Sequence, residues 1–386
     1  MEKIGLFTLN GNSNYGNRLQ NYAVQTFLSD QGYEVDTIMY HPKEILYKKN
    51  LYEKIKIHLL QKDIIGPIWR RGYGFLFRGR IRNQQRMMGH RVKNFEDFSA
   101  KYINETNFIL DQSILSDVNL QDKINNGYKS FFIGSDQVWN LNGSDFPEFY
   151  FLPFVDSKKR NSFAASFGVE TIDHQYIEKY KQGIAGLNAI SVREMSGKKI
   201  VKELTCRECD VLLDPVFLLS VKSWRQLETR PNLSMNHSER YILTYFLGHM
   251  ARKYRKILYK FAKEQELKII SLNDFTSEEY YSVSPNDFLS LIDSASFVLT
   301  DSFHGVAFSI IFQRPFMVVD RIDKFKSMST RISSILEAFG LSDRFNKLSP
   351  REINTTDWMN IEVKGLQKVI ENNAIKANSF VKKSLS

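Results

Sequence analysis

Apolar and polar positions along this chain alternate between two periods. Lys3 to Leu9, Tyr33 to Tyr40, Tyr128 to Ile133, Arg160 to Phe167, Ala189 to Val192 and Val211 to Leu213 are short, apolar and rich in β-formers, which predicts buried strands. Between them, apolar residues recur at helical spacing, as at Leu19, Tyr22, Ala23 and Phe27 within Arg18 to Asp30. The same spacing predicts helices over Val92 to Tyr102, His174 to Ile184 and Lys198 to Leu204. A second set begins at Tyr241. Strands over Tyr241 to Phe246, Lys268 to Leu272, Ser296 to Thr300 and Phe316 to Val319 alternate with helices over Lys253 to Glu266, Pro285 to Ile292, Phe303 to Phe312 and Ser327 to Phe339. Trp358 to Phe380 reads as a final polar helix. Such alternation implies parallel sheets with helices on both faces. The polar stretch Ser220 to Arg240 divides the chain into an N-terminal unit (1–222, with a basic insertion over 42–95), a second unit (240–345) and a helical tail (346–386). The expected fold class is α/β, with two Rossmann-like domains facing each other across a cleft.

Composition changes this picture in three places. First, 386 residues with 42% hydrophobic content fit two domains with sizeable cores. No run approaches the ~20 apolar residues needed to span a bilayer, and the chain opens directly on a strand without signal-peptide architecture. The expected location is cytoplasmic. Second, Cys206 and Cys209 form a single Cys-x-x-Cys. A structural zinc site needs about four ligands, so reduced thiols are the favoured reading. Third, the net charge of +10 is uneven. Arg70, Arg71, Arg78, Arg80, Arg82, Arg86, Arg91 and Lys93 lie between Trp69 and Lys93 without an acid among them. Aromatic residues and methionines are interleaved, which suits an anionic surface. Peripheral contact of residues 69–93 with the inner membrane face is the expectation; a nucleic-acid partner is disfavoured.

Candidate chemistry sits at strand exits, where open parallel sheets bind ligands. His304 falls in the first turn of the helix after Ser296–Thr300, beside Asp301, Ser302 and Gly305. A helix start offers free N–H groups and a positive field, which suits an anion such as phosphate. The loop Asn10 to Asn17 is polar beyond what a turn requires and carries Asn14, Tyr15, Gly16 and Asn17 as candidate ligand contacts. It is not Gly-x-Gly-x-x-Gly, so the dinucleotide fingerprint is absent. Ser135, Asp136 and Gln137 leave the strand that ends at Ile133, and Arg193 leaves the one that ends at Val192.

Four of these runs resemble the motifs of the polysaccharide pyruvyltransferase family: Asn14 to Ala23, Ile133 to Asn140, Ser191 to Glu194, and Thr300 to Gly305. The resemblance implies a glycosyltransferase-like fold of the GT-B kind. It implies transfer of pyruvate from phosphoenolpyruvate to a sugar of a cell-surface polysaccharide, or of its lipid-linked precursor, as a ketal. It implies neither a metal nor an organic cofactor. Carried over, Arg193 is the arginine that binds the donor's anionic groups and His304 the catalytic histidine. Many members have an arginine two residues before that histidine; here the position is Ser302. The missing contact is then expected from Arg18 or Arg314.

The residue types suit that chemistry. A donor with phosphate and carboxylate calls for a guanidinium fork and helix-start N–H groups. One histidine can serve both acid and base steps, with Asp301 or Asp136 orienting the imidazole or an acceptor hydroxyl. Two alternatives stand beside this reading. One is a GT-B glycosyltransferase using a nucleotide sugar, with Asp301 and Arg314 at its donor. The other is a non-catalytic membrane- or nucleic-acid-binding protein, supported only by the basic segment.

Overall fold

A computed structural model describes residues 1–40, 67–141, 146–229, 231, 239–275, 277–321, 329–345, 359–363 and 365–385. Two parallel sheets carry the chain. The first has seven strands in the order β3-β2-β1-β4-β5-β6-β7: β1 (Lys3–Phe7), β2 (Glu34–Tyr40), β3 (Glu105–Leu110), β4 (Ser130–Ile133), β5 (Arg160–Ala165), β6 (Ala189–Val192) and β7 (Asp210–Val211). Neighbours in it are parallel throughout, as in the register Leu6↔Phe132 between β1 and β4. The second sheet orders β8 (Tyr241–Tyr245), β9 (Lys268–Leu272), β10 (Phe297–Thr300) and β11 (Phe316–Val318) as β11-β10-β8-β9, again all parallel. Parallel strands require crossovers, and helices supply most of them. Two parallel sheets whose strand exits meet give an α/β architecture of the GT-B kind.

In the first half the described helices are α1 (Tyr15–Ser29), α2 (Pro67–Tyr102), α3 (Val118–Gly127), α4 (Ile177–Ala185) and α5 (Met195–Thr205). In the second they are α6 (Val221–Leu227), α7 (Arg252–Glu264), α8 (Glu278–Tyr281), α9 (Pro285–Asp293), α10 (Phe303–Ile311) and α11 (Ser329–Ala338). The last helix, α12 (Leu366–Leu385), returns to the first sheet. There Ala377, Phe380 and Val381 join Ile4, Leu6, Val24, Phe132 and Phe163 in one apolar cluster. A second return contact is Asn373, whose side-chain oxygen accepts from Leu213 N at 2.8 Å.

Four features differ from the sequence expectation. β3 and α3 lie between Tyr102 and Tyr128, where the pattern predicts no element. β3 is an edge strand with only Leu110 fully buried, so its alternation is weak. The helix expected over Val92–Tyr102 is the end of the much longer α2. The polar stretch after Ser220 contains α6, whose Trp224 packs edge-on against Phe308 at 5.0 Å. The expected insertion at 42–95 lies partly outside the described residues, which resume at Pro67. Among the described residues, no helix is long and apolar enough to cross a membrane.

The largest apolar cluster joins the halves. It unites Tyr15, Leu19 and Ala23 of α1 and Phe95 of α2 with Tyr245, Phe288 and Phe308. Tyr15 is its hinge pin: fully buried, it stacks on Phe288 at 4.4 Å and 8°, and its hydroxyl donates to Val283 O at 3.1 Å. Arg91 adds a clamp. Buried, it donates to Ser13 O at 2.9 and 3.1 Å and to Tyr281 O at 3.1 Å, with its guanidinium 4.5 Å from the Tyr15 ring. A cation held over an aromatic face inside a core is both desolvated and compensated. In the sequence Arg91 belongs to the basic surface; the fold turns it inward. Arg86 pairs with Glu278 at 2.6 Å, whereas the side chains of Arg70, Arg71, Arg78 and Arg80 lie outside those described.

Candidate active site

Strand exits from both halves converge on His304. Ser302 caps α10, its side chain accepting from Gly305 N at 3.4 Å, which sets Phe303 and His304 as the first two helical residues. Gly305 itself lies against β10: a Cβ there would come within 2.6 Å of Thr300 Oγ1. The imidazole also meets the start of α1. Asn14 caps that helix, accepting from Gly16 N at 2.9 Å. Gly16 then passes so close to the ring that a Cβ would fall 2.5 Å from both Cε1 and Cγ of His304, and nearer still to Nδ1. Two helix N-termini without an acid in their first turns therefore meet at one imidazole. Their N–H groups and dipoles favour negative charge there.

Arg193 and His304 share one carboxylate oxygen. Asp214, at the exit of β7, caps the turn Pro215–Leu218 by accepting from Val216 N at 3.0 Å. Its other oxygen, Oδ2, lies 2.7 Å from Arg193 Nη2 and 3.4 Å from His304 Nε2. All three side chains are buried. Burial pushes the Asp214 carboxyl up, but Arg193, His304 and the Val216 N–H outweigh it and hold it down at about 2. Asp214 is thus the carboxylate beside the imidazole, a place for which the sequence offered Asp301 or Asp136.

Each remaining candidate has a definite position. Asp301 accepts from Leu247 N and Gly248 N at 2.7 and 2.8 Å, pinning the loop after β8. Asp136, in the left-handed region at φ 67°, directs Oδ1 at Arg193 Nη1 (3.4 Å) and Arg331 Nη1 (3.5 Å). Gly134 beside it takes φ 114°, a conformation that only glycine adopts freely. Ser135 accepts from Arg193 Nη2 and donates to Ala164 O at 3.1 Å. The Gln137 amide faces Arg331; with its oxygen toward the guanidinium it accepts from Nη2 at 2.7 Å and Nε at 3.2 Å. Asn17 is half-exposed next to Gly16, and its carbonyl accepts from Gln20 at 3.0 Å.

Arg18 and Arg314 stand apart from this cluster. Arg18, fully buried, donates to Glu105 at 2.8 Å, to Asn12 Oδ1 and to Asn10 O, so it braces the Asn10–Asn17 loop from behind. Arg314 follows the opposite end of α10 from His304 and pairs with Asp293 at 2.9 Å, where Arg225 also binds.

Three residues outside the sequence-level candidates complete the site. Asp214 is one. Glu194 is another: buried, it accepts through Oε1 from Ser166 Oγ at 2.9 Å and Phe167 N at 3.1 Å. Burial pushes its carboxyl up, out of the usual carboxylate range, against the pull of Arg331 and Arg193. The third is Arg331 of α11, whose guanidinium lies 5.5 Å from the Phe303 ring, against 5.0 Å for Arg193. Among the described residues, buried Arg193 Nε has no hydrogen-bond partner, and no three His, Cys, Asp or Glu side chains converge as a metal set. The Cys-x-x-Cys lies away from this cluster; Cys206 is exposed and Cys209 buried, its thiol pushed up by burial to about 11. Surface hollows of about 620 Å³, beside Gln313 and Arg344, and about 480 Å³, beside His90 and Asp287, also lie elsewhere.

No curated protein sequence matches the chain. Solved structures similar to it include a putative UDP-N-acetylglucosamine 2-epimerase from Listeria monocytogenes, 10% identical with TM-score 0.49, covering 99% of this chain and 96% of that one. The UDP-GlcNAc 2-epimerase of Methanocaldococcus jannaschii is 11% identical with TM-score 0.49, covering 97% and 93%. An O-GlcNAc transferase mutant of Thermobaculum terrenum is 12% identical with TM-score 0.40; all of this chain is covered, but it spans only 65% of that protein. The family model described as polysaccharide pyruvyl transferase matches residues 14–323, a span that holds Gly16, Asp136, Arg193, Asp214 and His304 and stops before Arg331. The chain therefore belongs to the polysaccharide pyruvyl transferase family, a family of transferases that acts in polysaccharide pyruvylation.

Proposed function

We propose that this protein transfers pyruvate from phosphoenolpyruvate to two hydroxyls of one sugar, in a cell-surface polysaccharide or its lipid-linked precursor, forming a ketal. The observation that carries the reading is the sharing of Asp214 Oδ2 by Arg193 and His304, which come from opposite halves of the chain. A base and an anion-binding fork are thereby held together beside two helix starts, the set that a phosphorylated enol acid calls for.

The reaction balances as follows. The vinyl carbon gains a proton and becomes a methyl group. The adjacent carbon forms two bonds to sugar oxygens while its bond to the phosphate oxygen breaks. One hydroxyl proton is thus accounted for in the methyl group and the other leaves with phosphate. In this reading His304 takes a hydroxyl proton and delivers a proton to the vinyl carbon. Asp214 holds the imidazole in place and balances its charge when protonated. The Nε–H of Arg193 and the positive ends of α1 and α10 face the negative charge that gathers on departing phosphate. No cofactor or metal enters the scheme.

The test is incubation of the full chain with phosphoenolpyruvate and lipid-linked or aryl-glycoside sugars. Release of phosphate with a matching ketal mass gain on the sugar is expected. Turnover of a UDP- or GDP-sugar instead, with phosphoenolpyruvate inert, would overturn the reading.

A further inference from the structure

We propose that Phe275 and Leu247 form the apolar floor of the acceptor subsite, on which a pyranose ring lies by its C–H face while its hydroxyl edge points toward His304. The proposal rests on the reading above for the reaction, and adds where and by which face the sugar is held. Thr300, Tyr245 and Leu272 are level with one another across β10, β8 and β9. Each is the last residue of its strand, so the chain leaves all three strands in one row. Neighbouring strands lie about 4.8 Å apart, so the exits of β8 and β9 stand about 5 and about 10 Å from the exit that leads to His304. Side-chain bonds keep the row together. Asp301 accepts from Leu247 N and Gly248 N at 2.7 and 2.8 Å, and Asn273 Nδ2 donates to Phe246 O at 3.1 Å.

Two large apolar side chains stand open on this row, Leu247 at 38% exposure and Phe275 at 36%. The Phe275 ring is held: it stacks on buried Tyr281 at 4.3 Å and 25°. Arg91 lies 5.1 Å from the Tyr281 ring, donates to Tyr281 O at 3.1 Å and reaches Ser13 O at 2.9 Å. The aromatic pair is thus fastened to the Asn10–Asn17 loop of the first half, whose Gly16 lies against His304. An open aromatic face fixed at the exits of parallel strands, where such sheets bind ligands, is a recognition surface. A sugar suits both walls. The C–H bonds on one face of a pyranose are apolar and slightly positive, which the negative face of an aromatic ring attracts. Its hydroxyls meet the polar loop, where half-exposed Asn17 follows Gly16.

The experiment is saturation-transfer NMR of the full chain with methyl and p-nitrophenyl hexosides and with UDP, for wild type, Phe275→Leu and Phe275→Tyr. Turnover with phosphoenolpyruvate and thermal unfolding are recorded alongside. Phe275→Leu keeps an apolar side chain on Tyr281 and removes the ring face. It is expected to weaken hexoside binding, and to raise the KM for sugar, about five- to tenfold. Its KM for donor and its unfolding temperature stay near those of wild type. Phe275→Tyr retains the ring and binds as wild type does. Unchanged methyl hexoside affinity in Phe275→Leu would overturn the proposal, also where p-nitrophenyl hexosides are weakened, since the ring then catches only the aryl group. Loss of UDP binding with hexosides unaffected would overturn it too and assign the ring to a nucleotide. If Phe275→Leu fails to fold, Leu247→Asn decides by the same readouts. If wild type binds hexosides but leaves phosphoenolpyruvate intact, the pyruvyl-transfer reading fails and the subsite is judged by binding alone. Wild type that binds no hexoside would sink the subsite, whatever becomes of the donor.

Discussion

Gly16→Ala adds one methyl group where the chain leaves no room for it. The added Cβ would stand 2.5 Å from two ring carbons of His304. Ordinary contact needs at least about 3.4 Å, so ring or helix must give by about 1 Å. Nothing at Gly16 itself resists the change: it lies in the first turn of α1 without a positive φ, and alanine is the better helix former by about 1 kcal/mol. The strain therefore falls on the imidazole, which is held on its other side by Asp214. Displacement of a catalytic group by about 1 Å costs on the order of 10²-fold in rate. We expect Gly16→Ala to unfold within ~1 kcal/mol of wild type and to lose roughly 10²-fold in kcat, read as phosphate release from phosphoenolpyruvate with a sugar acceptor. The His304 imidazole resonances should shift in the ligand-free variant. Unchanged kcat together with unmoved imidazole resonances would refute the claim that Gly16 exists to admit the ring.

Other substitutions probe the supports of the site. Asp214→Asn removes the charge shared by Arg193 and His304; because the folded carboxyl is held down at about 2, its contribution is present above about pH 4 and is lost as pH falls through about 2. Urea unfolding should show a deficit of about 2–3 kcal/mol near neutral pH that shrinks toward about pH 3, and a constant deficit would disprove the assignment. Glu228, half-buried beside Asp293, is raised to about 7 by burial and by that carboxylate, so its contribution is present below about pH 4 and is lost as pH rises through about 7. Glu228→Gln should then be more stable than wild type by ~1 kcal/mol at about pH 8, after discounting for solvent, and level with it at about pH 5; equal stability at both would count against this. Tyr15→Ala should cost ~3–5 kcal/mol, because its ring is buried between the halves, whereas Tyr15→Phe should cost only ~1 kcal/mol for the bond to Val283 O. Similar losses in both, by denaturant titration, would place its importance in the hydroxyl.

Much of this architecture was legible because parallel strands and their crossover helices have different periods. Lys268–Leu272 falls where the pattern puts it, and β10 and α10 differ from expectation by one residue at an end. That is why His304 and Arg193 could be assigned to strand exits. Other features depend on long-range packing that no local period records. Arg91 looks like one cation among many in a basic run, yet α2 buries it between Tyr15 and Tyr281. Asp214 before a proline reads as an ordinary turn cap, which it also is; only the fold brings its second oxygen to His304. Arg331 stands in a helix without a motif, and its partner Asp136 is almost 200 residues away in sequence. The C-terminal helix has a polar pattern overall, but Phe380 and Val381 are buried against the first sheet.

A small dianion is expected between Arg193 and His304. An experimental structure of the full chain with phosphoenolpyruvate tests it most directly. We expect donor oxygens within about 3 Å of Arg193 Nε and of the His304 ring, at the starts of α1 and α10. Donor bound elsewhere, for instance in the hollow beside Gln313 and Arg344, with the Arg193–Asp214–His304 contacts unaltered, would contradict it.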